Sequence, residues 1–450
     1  MILTALILRF QRKYCRREAE PSERQLSHHY LWFDRRRKCN SSSKCTNKKL
    51  CLSGGVEMKI IVHRGTHQIG GIATEISTEK TRILIDMGEE LSLDPDFVPS
   101  PLNIPGVTDT NGKCDAVFFT HYHGDHTGQM TRIRDDTPLY AGALAKDIML
   151  MSAEHGYHKD QALINRIKTI HTFGGGQEIV IGDIRITPWS IDHSACDSYL
   201  FLIEADGKRI LYTGDFRMHG IRGKSLPKRL RKIGKVDVVV TEGTTISRQG
   251  NIAPTEWELQ QRMRDYIKQY KYVFLLCATT NLDRIFACAR AVPYGKYSLC
   301  DEYQYQLANK VAHHWQDISP FYKLPKLTPF NKNPPANFEK FGGLMFVRAN
   351  SSFEKIISQY DPAQSIILYS MWDGYRTKSG SCIPDFLSLT GTWETFHTSG
   401  HASPQDICQV IKLLDPQCII PMHTDSPQQL QQLCPNRKIT ILQDGETVTI

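Results

Sequence analysis

The sequence predicts an α/β protein in which a β-rich domain is interrupted by an α/β insert. Short apolar runs rich in β-branched residues follow one another from Met58, and several are joined by tight turns. Beyond Glu242, helical stretches alternate with strands, as in crossover α/β units. The β-rich pattern returns at about Leu389. The predicted parts are a domain at 58–245, an insert at 246–388 and a return segment at 389–450.

Short apolar runs that end at polar or turn-forming residues predict the strands of the first domain. They are Lys59–His63, Ile72–Ser77, Arg82–Asp86, Ala116–Thr120, Ile184–Pro188, Ser198–Glu204, Arg209–Thr213 and Val236–Thr241. In the insert, a helix is predicted at Trp257–Tyr272, a strand at Val273–Cys277 and a second helix at Leu282–Ala291. The Pro- and Asn-rich stretch Leu324–Asn337 is predicted to be a surface loop.

The formal net charge of +8 belongs entirely to the first 57 residues. Of the 55 basic and 47 acidic residues in the chain, 13 and 5 lie there, so 42 of each sign remain in residues 58–450. The segment 1–57 has a basic run at 35–38 and no sustained apolar periodicity. We expect a disordered basic leader, which is either an arm for nucleic acid or the product of an upstream start codon, with Met58 as the natural beginning. The neutral remainder leaves the substrate undecided.

The composition gives no sign of a membrane protein or a disulfide framework. No apolar run approaches the roughly 20 residues that a membrane-spanning helix needs. The 13 cysteines include no C-x-x-C pair and no regular spacing. Reduced thiols in a cytoplasm are therefore the simplest interpretation.

The segment 121–126, with the sequence His-Tyr-His-Gly-Asp-His, is the strongest functional signal. Three imidazoles and a carboxylate this close together cannot all be core residues, because each would need its own buried partner. They follow the apolar run Ala116–Thr120, and side chains on a loop that leaves a strand can face two neighbouring points. This pattern suits two metal ions better than one closed tetrahedral site.

Four further acidic or imidazole side chains follow apolar strand-like runs, namely Asp86, His193, Asp215 and His423. A single Asp or His after a strand is commonly a cap or turn residue. Several of them at strand ends on one edge of a sheet favour a binuclear site. Imidazole and carboxylate without thiolate favour zinc, with manganese or iron as alternatives. The candidate metal ligands are His121, His123, Asp125, His126, His193, Asp215 and His423.

A second segment, 399–402 with the sequence Ser-Gly-His-Ala, precedes a predicted helix. Ser403 is the predicted N-cap and Asp406 the acid at the third helical position. Free N–H groups and the dipole at such a helix end favour an anion. Ser399 adds a hydroxyl donor, and His401 can act as a general acid or a phosphate donor. An ordinary capped helix with a structural histidine is the alternative.

These motifs carry a resemblance. His-x-His-x-Asp-His at 121–126, with the later ligands, resembles the metallo-β-lactamase-fold hydrolases, which implies an αββα sandwich. The segment 399–402, Glu242 in Thr-Glu-Gly-Thr-Thr and the segment 278–285 resemble the β-CASP branch, nucleases with an α/β insert. The nearest likeness is to ribonuclease J and its shorter bacterial relatives. Thr424, where Gly is usual, and Met-Trp-Asp-Gly-Tyr at 371–375 depart from that family.

The resemblance implies a role for each candidate residue. One zinc ion would be held by His121, His123 and His193. A second would be held by Asp125, His126 and His423. Asp215 would bridge the two ions, and Asp86 would orient the ligand loop. The implied catalytic residues are Asp125, Glu242 and His401. The implied contacts to substrate phosphate are Ser399, Gly400, His401, Ala402, Asn281 and Arg284.

The implied protein is a cytoplasmic, zinc-dependent nuclease that cleaves RNA phosphodiesters in RNA processing or decay, exonucleolytically or endonucleolytically. Two Zn²⁺ ions, with Mn²⁺ as an alternative, would activate the attacking water. Single-stranded DNA is a further candidate substrate, and a homo-oligomer is neither required nor excluded. Two other functions stay open. One is a small-molecule hydrolase of thioesters, lactones or β-lactams on the same site. The other is a catalytically inactive nucleic-acid-binding protein.

Overall fold

The structure is a computed structural model that describes residues 48–49 and 57–450, apart from residues 95, 157–158 and 249–252. The predicted leader, residues 1–57, lies almost entirely outside the described residues. Among the helices that are described, none is both long and apolar enough to cross a membrane.

The described strands form three sheets. In chain order they are β1 (Lys48–Lys49), β2 (Lys59–Arg64), β3 (Ala73–Ser77), β4 (Arg82–Ile85), β5 (Ala116–Phe118), β6 (Leu139–Gly142), β7 (His171–Phe173), β8 (Ile179–Ile181), β9 (Ile184–Ile191), β10 (Ser198–Ala205), β11 (Lys208–Tyr212), β12 (Val238–Glu242), β13 (Tyr272–Cys277), β14 (Tyr297–Asp301), β15 (Thr328–Phe330), β16 (Gly343–Val347), β17 (Ser365–Ser370), β18 (Trp393–Thr395), β19 (Cys418–Met422) and β20 (Thr447–Thr449). The sheet orders are β1-β20-β2-β3-β4-β5-β6-β7, β19-β12-β11-β10-β9-β8 and β15-β14-β16-β13-β17-β18.

The helices lie outside the sheets. Those before the insert are Gly124–Thr127, Ala143–His155, Gln161–Lys168 and Leu226–Ile233. Those of the insert are Glu256–Gln269, Leu282–Ala291, Glu302–Trp315, Asn337–Phe341, Ser351–Ile357, Asp373–Thr377 and Ile383–Leu387. Those of the return segment are Pro404–Leu414 and Gln428–Leu433.

The first two sheets pack face to face, with helices on both outer faces. Their shared core contains aliphatic side chains from each sheet, such as Ile60 and Ile83 opposite Ile203 and Val240. The helix Ala143–His155 and its neighbour cover the outer face of the first sheet. The helices Leu226–Ile233 and Pro404–Leu414 cover the outer face of the second. The predicted α/β sandwich is therefore confirmed.

The third sheet is wholly parallel and covered by helices on both faces. Every residue of its central strand, β13, is buried, as expected for a parallel strand with helices on either side. Successive side chains alternate between faces, so Val273 and Leu275 join one core cluster and Phe274 and Leu276 join another. The third sheet is thus an α/β unit, as the alternating pattern predicts.

Two details of the insert differ from the sequence-based expectation. The predicted surface loop Leu324–Asn337 contains the short strand β15, which pairs with β14, so this prediction was partly wrong. β18 pairs with β17 in the third sheet, although it lies beyond residue 388, where the insert is predicted to end. The division into 58–245, 246–388 and 389–450 stays a prediction.

A buried network of charges joins the insert to the first domain. Glu256, the first residue of its helix, contacts Arg284 through both oxygens, at 2.6 Å from Nε and 2.8 Å from Nη2. Arg217 of the first domain lies 2.9 Å from Glu256 and 2.7 Å from Asp192. Burial alone would raise the pKa of Glu256, but the two arginines hold it at about 2. The positive charges of Arg217 and Arg284 are therefore balanced in the interior by the negative charges of Glu256 and Asp192.

Replacing Glu256 with Gln should destabilise the protein by about 3–5 kcal/mol, because it leaves two buried guanidinium groups without one of their anions. The free energy of unfolding from urea denaturation measures this. Asp265→Asn on the same helix is the matched control. Asp265 is 73% exposed and pairs with Lys268, so little change is expected. A Glu256→Gln loss no larger than that of Asp265→Asn would contradict the prediction.

Candidate metal centre

The candidate side chains converge because several strands end at one edge of the sandwich. β4 and β5 run parallel, as do β11, β12 and β19, so their carboxyl ends meet at that edge. Two of the residues that follow strands, Asp86 and His423, have left-handed backbone with φ of 60° and 52°. Such conformations persist in non-glycine residues only where the surroundings hold them. The residues at or just after the strand ends are Asp86, His121, His193, Asp215, Glu242 and His423.

Three imidazoles face a common point. His123 Nδ1 lies 3.1 Å from His121 Nε2 and 3.1 Å from His193 Nε2. A ring nitrogen carries either one proton or one lone pair, so His123 Nδ1 cannot satisfy both neighbours. Zinc–nitrogen bonds of about 2.0–2.1 Å in a tetrahedral site imply nitrogen–nitrogen separations of about 3.3 Å. The three nitrogens therefore fit ligands of one cation.

A second group of four side chains lies beside the first. The ligand atoms of Asp125, His126, Asp215 and His423 all lie within 4.8 Å of one another. His423 Nε2 is 3.2 Å from Asp125 Oδ2, and His126 Nε2 is 3.2 Å from Asp215 Oδ2. All four residues are buried. Two carboxylates and two imidazoles form a donor set that suits a divalent transition-metal ion.

Asp215 lies between the two groups. Its Oδ2 is 3.9 Å from both His121 Nε2 and His193 Nε2, and it also faces the second group. Its Oδ1 is buried and has no hydrogen-bond partner among the described residues. An unpaired buried carboxylate oxygen is costly, and a cation would remove that cost. The position of Asp215 therefore fits the predicted bridge between two ions.

In four of the five candidate histidine ligands, the ring nitrogen that faces away from the cluster contacts a polar group. The pairs are His121 Nδ1 with Thr120 Oγ1 at 3.0 Å, His126 Nδ1 with Asp86 Oδ2 at 2.8 Å, His193 Nδ1 with the Gly400 carbonyl at 2.5 Å, and His423 Nδ1 with Thr244 Oγ1 at 2.8 Å. Such contacts fix the tautomer and the ring orientation of metal-binding histidines. Asp86 therefore lies where the sequence predicts an orienting residue.

The electrostatics separate the histidines into two kinds. Burial lowers the pKa of His121 and His193 well below the usual range and that of His123 to about 4, so all three stay neutral. Neutral imidazole is the form that binds metal. Burial also opposes a charge on His126, but the carboxylates of Asp215 and Asp86 raise its pKa.

The loop that carries Asp125 is in direct van der Waals contact with the backbone at Gly88. A Cβ added to Gly88 would lie 1.6 Å from the Asp125 carbonyl oxygen and 2.8 Å from the backbone nitrogen of His126. The same Asp125 carbonyl accepts a hydrogen bond from the backbone of Ile72 at 3.0 Å. Gly88 therefore sets the position of two candidate ligands.

His401 lies beside both groups, forms a third possible ligand set with His193 and Asp215, and is paired with Glu242. His401 Nδ1 is 2.9 Å from Glu242 Oε2 and 3.6 Å from Asp215 Oδ2. Burial disfavours the imidazolium, but Glu242 and Asp215 outweigh it and raise the pKa of His401 to about 9. Glu242 is fully buried and also accepts a hydrogen bond from the backbone of Phe216 at 2.7 Å. His401 is therefore held as a protonated group beside the cluster.

The segment 399–402 precedes a capped helix, as predicted, but the cap occupies the amides that were expected to bind an anion. Ser403 and Asp406 form a reciprocal capping box, in which each side chain accepts from the backbone of the other. The Ser399 hydroxyl accepts a hydrogen bond from the His401 amide at 3.0 Å. The backbone carbonyl of Ser399 accepts from Arg217 and His219. Anion binding here would depend on the side chains of Ser399 and His401.

The structure does not bring the insert residues Asn281 and Arg284 to the ligand cluster as free substrate contacts. Asn281 is buried and caps its helix by accepting from the Arg284 amide at 3.4 Å. Arg284 is fully buried against Glu256, so the prediction that it contacts phosphate is wrong. An arginine near the start of a helix is easily mistaken for a ligand contact when its buried acidic partner, here Glu256, lies far away in the sequence.

Two supporting residues were missed from the sequence, although both lie inside motifs that had been singled out. Tyr122, within the segment 121–126, donates a hydrogen bond to the Thr280 carbonyl of the insert at 2.8 Å. Thr244, two residues after Glu242, contacts His423. The sequence shows both residues within the motifs, but only the fold brings each of them to its hydrogen-bond partner.

Comparison with known proteins agrees with the fold. Residues 81–266 match the family model of the β-lactamase superfamily domain. The whole structure resembles a crystal structure of a protein of unknown function from Enterococcus faecalis, with a TM-score of 0.71, 20% sequence identity, and coverage of 88% of this chain and all of that one. This likeness supports the fold alone.

Three curated proteins are similar to this chain over different fractions of its length. Ribonuclease J of Helicobacter pylori is 22% identical over 89% of this chain and 62% of its own length. An RNase J-like protein of Methanocaldococcus jannaschii is 27% identical over 46% of this chain and 47% of its own length. The transcription termination factor FttA of Methanosarcina mazei is 26% identical over 43% of this chain and 32% of its own length.

The chain spans about three fifths of the length of the Helicobacter ribonuclease J that it matches. The resemblance to the metallo-β-lactamase-fold hydrolases and to ribonuclease J, which the motifs predicted, is nevertheless confirmed by the family match and by the curated relatives. Residues 81–266 are similar to the β-lactamase superfamily domain, and most of the chain is similar to ribonuclease J.

Proposed function

We propose that this protein is a metal-dependent nuclease that cleaves RNA phosphodiester bonds in RNA processing or decay. The observation that carries the proposal is the pair of ligand groups that meet at Asp215 Oδ2, with His401 beside them. The similarity to ribonuclease J supports RNA as the substrate. The parallel α/β insert beside the site supports a polymeric substrate, since small-molecule hydrolases on this site do not need one. Buried free thiols such as those of Cys114, Cys196 and Cys277 support a reducing, cytoplasmic setting.

The residues present fit two Zn²⁺ ions, with Mn²⁺ as the alternative. We assign one ion to His121, His123 and His193 and the other to Asp125, His126 and His423. Asp215 would be shared between them. Two divalent ions held there would lower the pKa of a water molecule and stabilise charge on the phosphate. Asp86 orients His126 through its outer ring nitrogen, and Asp125 would be a ligand of the second ion beside His423 Nε2.

The remaining polar residues bind and orient the phosphate. His401, held in place by Glu242, would donate a hydrogen bond to a phosphate oxygen or protonate the leaving group. Ser399 offers its hydroxyl hydrogen, because its oxygen already accepts from the His401 amide. Gly400 shapes this contact, since a Cβ on Gly400 would meet Ser194 at 2.5 Å. Ala402 is fully buried and its amide donates to Glu242 at 3.4 Å, so we assign it no direct contact with the phosphate.

The first test is hydrolysis of defined RNA by the metal-loaded protein. Oligonucleotides with 5′-monophosphate or 5′-triphosphate ends should be cut. His123→Ala should lower the rate by about 100-fold or more, because removing a metal ligand costs at least as much as removing its outer partner. His313→Ala, at an exposed position in the insert, is the control and should keep full activity. Intact RNA and single-stranded DNA, together with opening of thioesters or lactones, would favour the small-molecule hydrolase instead.

Replacing Gly88 with Ala should displace the Asp125 carbonyl and disturb two ligands of the second group. We expect metal affinity to fall about 10- to 100-fold, as for the loss of an outer-sphere support. Metal content after dialysis, measured by elemental analysis, reports the change. Gly174→Ala is the matched control, because nothing lies within 4 Å of a Cβ there. Equal metal content in both variants would show that Gly88 does not position the ligands.

His401→Gln should lower kcat for RNA by about 10²- to 10⁴-fold, the usual contribution of a general acid. Its metal content should stay at the wild-type level, because His401 is paired with Glu242 and supplies no ligand in this proposal. Steady-state kinetics and elemental analysis on the same preparation separate the two effects. Loss of metal together with activity would make His401 a ligand, which its 3.6 Å distance from Asp215 also permits.

A further inference from the structure

Two exposed tryptophans lie on the third sheet or directly after one of its strands. Trp372 follows β17 and is 41% exposed, and Trp393 begins β18 and is 38% exposed. β17 and β18 are neighbours in the third sheet. The segment 371–375, which contains Trp372, departs from the ribonuclease J pattern. The proposed chemistry at the metal centre gives neither tryptophan a role.

The two tryptophans are connected through a short helix. Trp372 caps the helix Asp373–Thr377, and its ring meets the ring of Tyr375 edge to face at 5.4 Å. Arg376 is four residues after Trp372 and is therefore its neighbour on the helix surface. The Arg376 guanidinium lies over the Trp393 ring at 5.4 Å from its centroid. We call Trp372, Tyr375, Arg376 and Trp393 the aromatic ledge.

The positions of these rings are fixed by their surroundings. A Cβ on Gly374 would lie 2.5 Å from the Trp372 indole, so the indole rests directly on the backbone there. The Tyr369 hydroxyl donates to the Trp372 carbonyl at 2.7 Å. Asp373 holds Arg376 through a 2.7 Å ion pair. Exposed rings held in this way lose little conformational entropy when they bind a flat partner.

The ledge begins at the edge of the metal centre. Lys378, at the end of the helix Asp373–Thr377, donates to the Ser92 carbonyl at 3.3 Å. The chain near Ser92 in turn packs on the ligand loop, since a Cβ on Gly70 would meet both Leu91 and Asp125. A strand that has a phosphate at the metal centre would therefore reach the ledge with its neighbouring nucleotides.

We propose that the aromatic ledge stacks the unpaired bases of an RNA strand whose phosphate lies at the metal centre. The inference rests on the proposed nuclease function. Flat aromatic faces beside a guanidinium are the features by which proteins hold single-stranded nucleic acid without reading its sequence. The ledge therefore explains how a body with no net charge can hold a polyanion next to its site. Base identity should matter little there.

The test compares matched tryptophan variants of the full chain on a single-stranded RNA oligonucleotide. Trp372→Ala and Trp393→Ala should each raise KM about 5- to 150-fold, the range for losing one base–aromatic stack. kcat should change less than threefold, and hydrolysis of bis(4-nitrophenyl) phosphate, which has no bases, should be unaltered. Trp372→Phe keeps a ring and should restore KM to within a few-fold of the wild type. Trp257→Ala is the control, because Trp257 is also 41% exposed but lies on the helix Glu256–Gln269.

Binding without cleavage gives a second measurement. RNA should quench the tryptophan fluorescence of His123→Ala, and the Trp372→Ala and Trp393→Ala substitutions in that background should weaken binding, while Trp257→Ala should not. If wild-type protein cleaves RNA and the ledge variants keep the wild-type KM, the ledge proposal is wrong and the nuclease proposal stands. If wild-type protein neither cleaves nor binds RNA, both are wrong. Equal thermal midpoints for all variants would exclude misfolding as the cause.

Discussion

The charge balance around Asp215 is the interaction on which the rest of the site depends. Five imidazoles and two carboxylates share one buried space, and three of the imidazoles are kept neutral by burial. The Asp215 carboxylate faces nitrogens of both ligand groups and keeps one oxygen without a donor. Such an arrangement is costly as a purely structural core, because buried polar groups need partners. Divalent cations would supply those partners, which is why the site is best understood as a metal centre.

The fold meets this constraint by bringing strand ends together. Parallel strands place their last residues along one edge, and the left-handed conformations of Asp86 and His423 turn these side chains into the cluster. Gly88 lets the ligand loop pack directly against the backbone that follows Asp86. Single residues such as Asp86, His423 and Gly88 therefore fix the geometry of the ligand cluster. Small changes of backbone at these positions would act on several ligands at once.

The insert is part of the site rather than an accessory. Glu256 and Arg217 connect it to the first domain through charges that are wholly buried, and Arg217 also holds the Ser399 carbonyl. Tyr122, inside the ligand segment, donates to the insert at Thr280. Because these contacts run from the metal-binding loops into the insert, a substrate held by the insert would be positioned directly relative to the ligands. The aromatic ledge extends this arrangement outward from Asp125.

The candidate ligands, the α/β class and the resemblance were all predictable from the amino-acid sequence, because local spacing carries that information. The segment 121–126 and single residues after apolar runs were enough to name all seven candidate ligands. Which polar residues are partners of one another could be learned only from the packing of the folded chain. Arg284 follows a helix cap and looked like a phosphate contact, yet its partner Glu256 lies 28 residues away and buries it. Contacts of this kind depend on how strands and helices pack, and no local spacing records them.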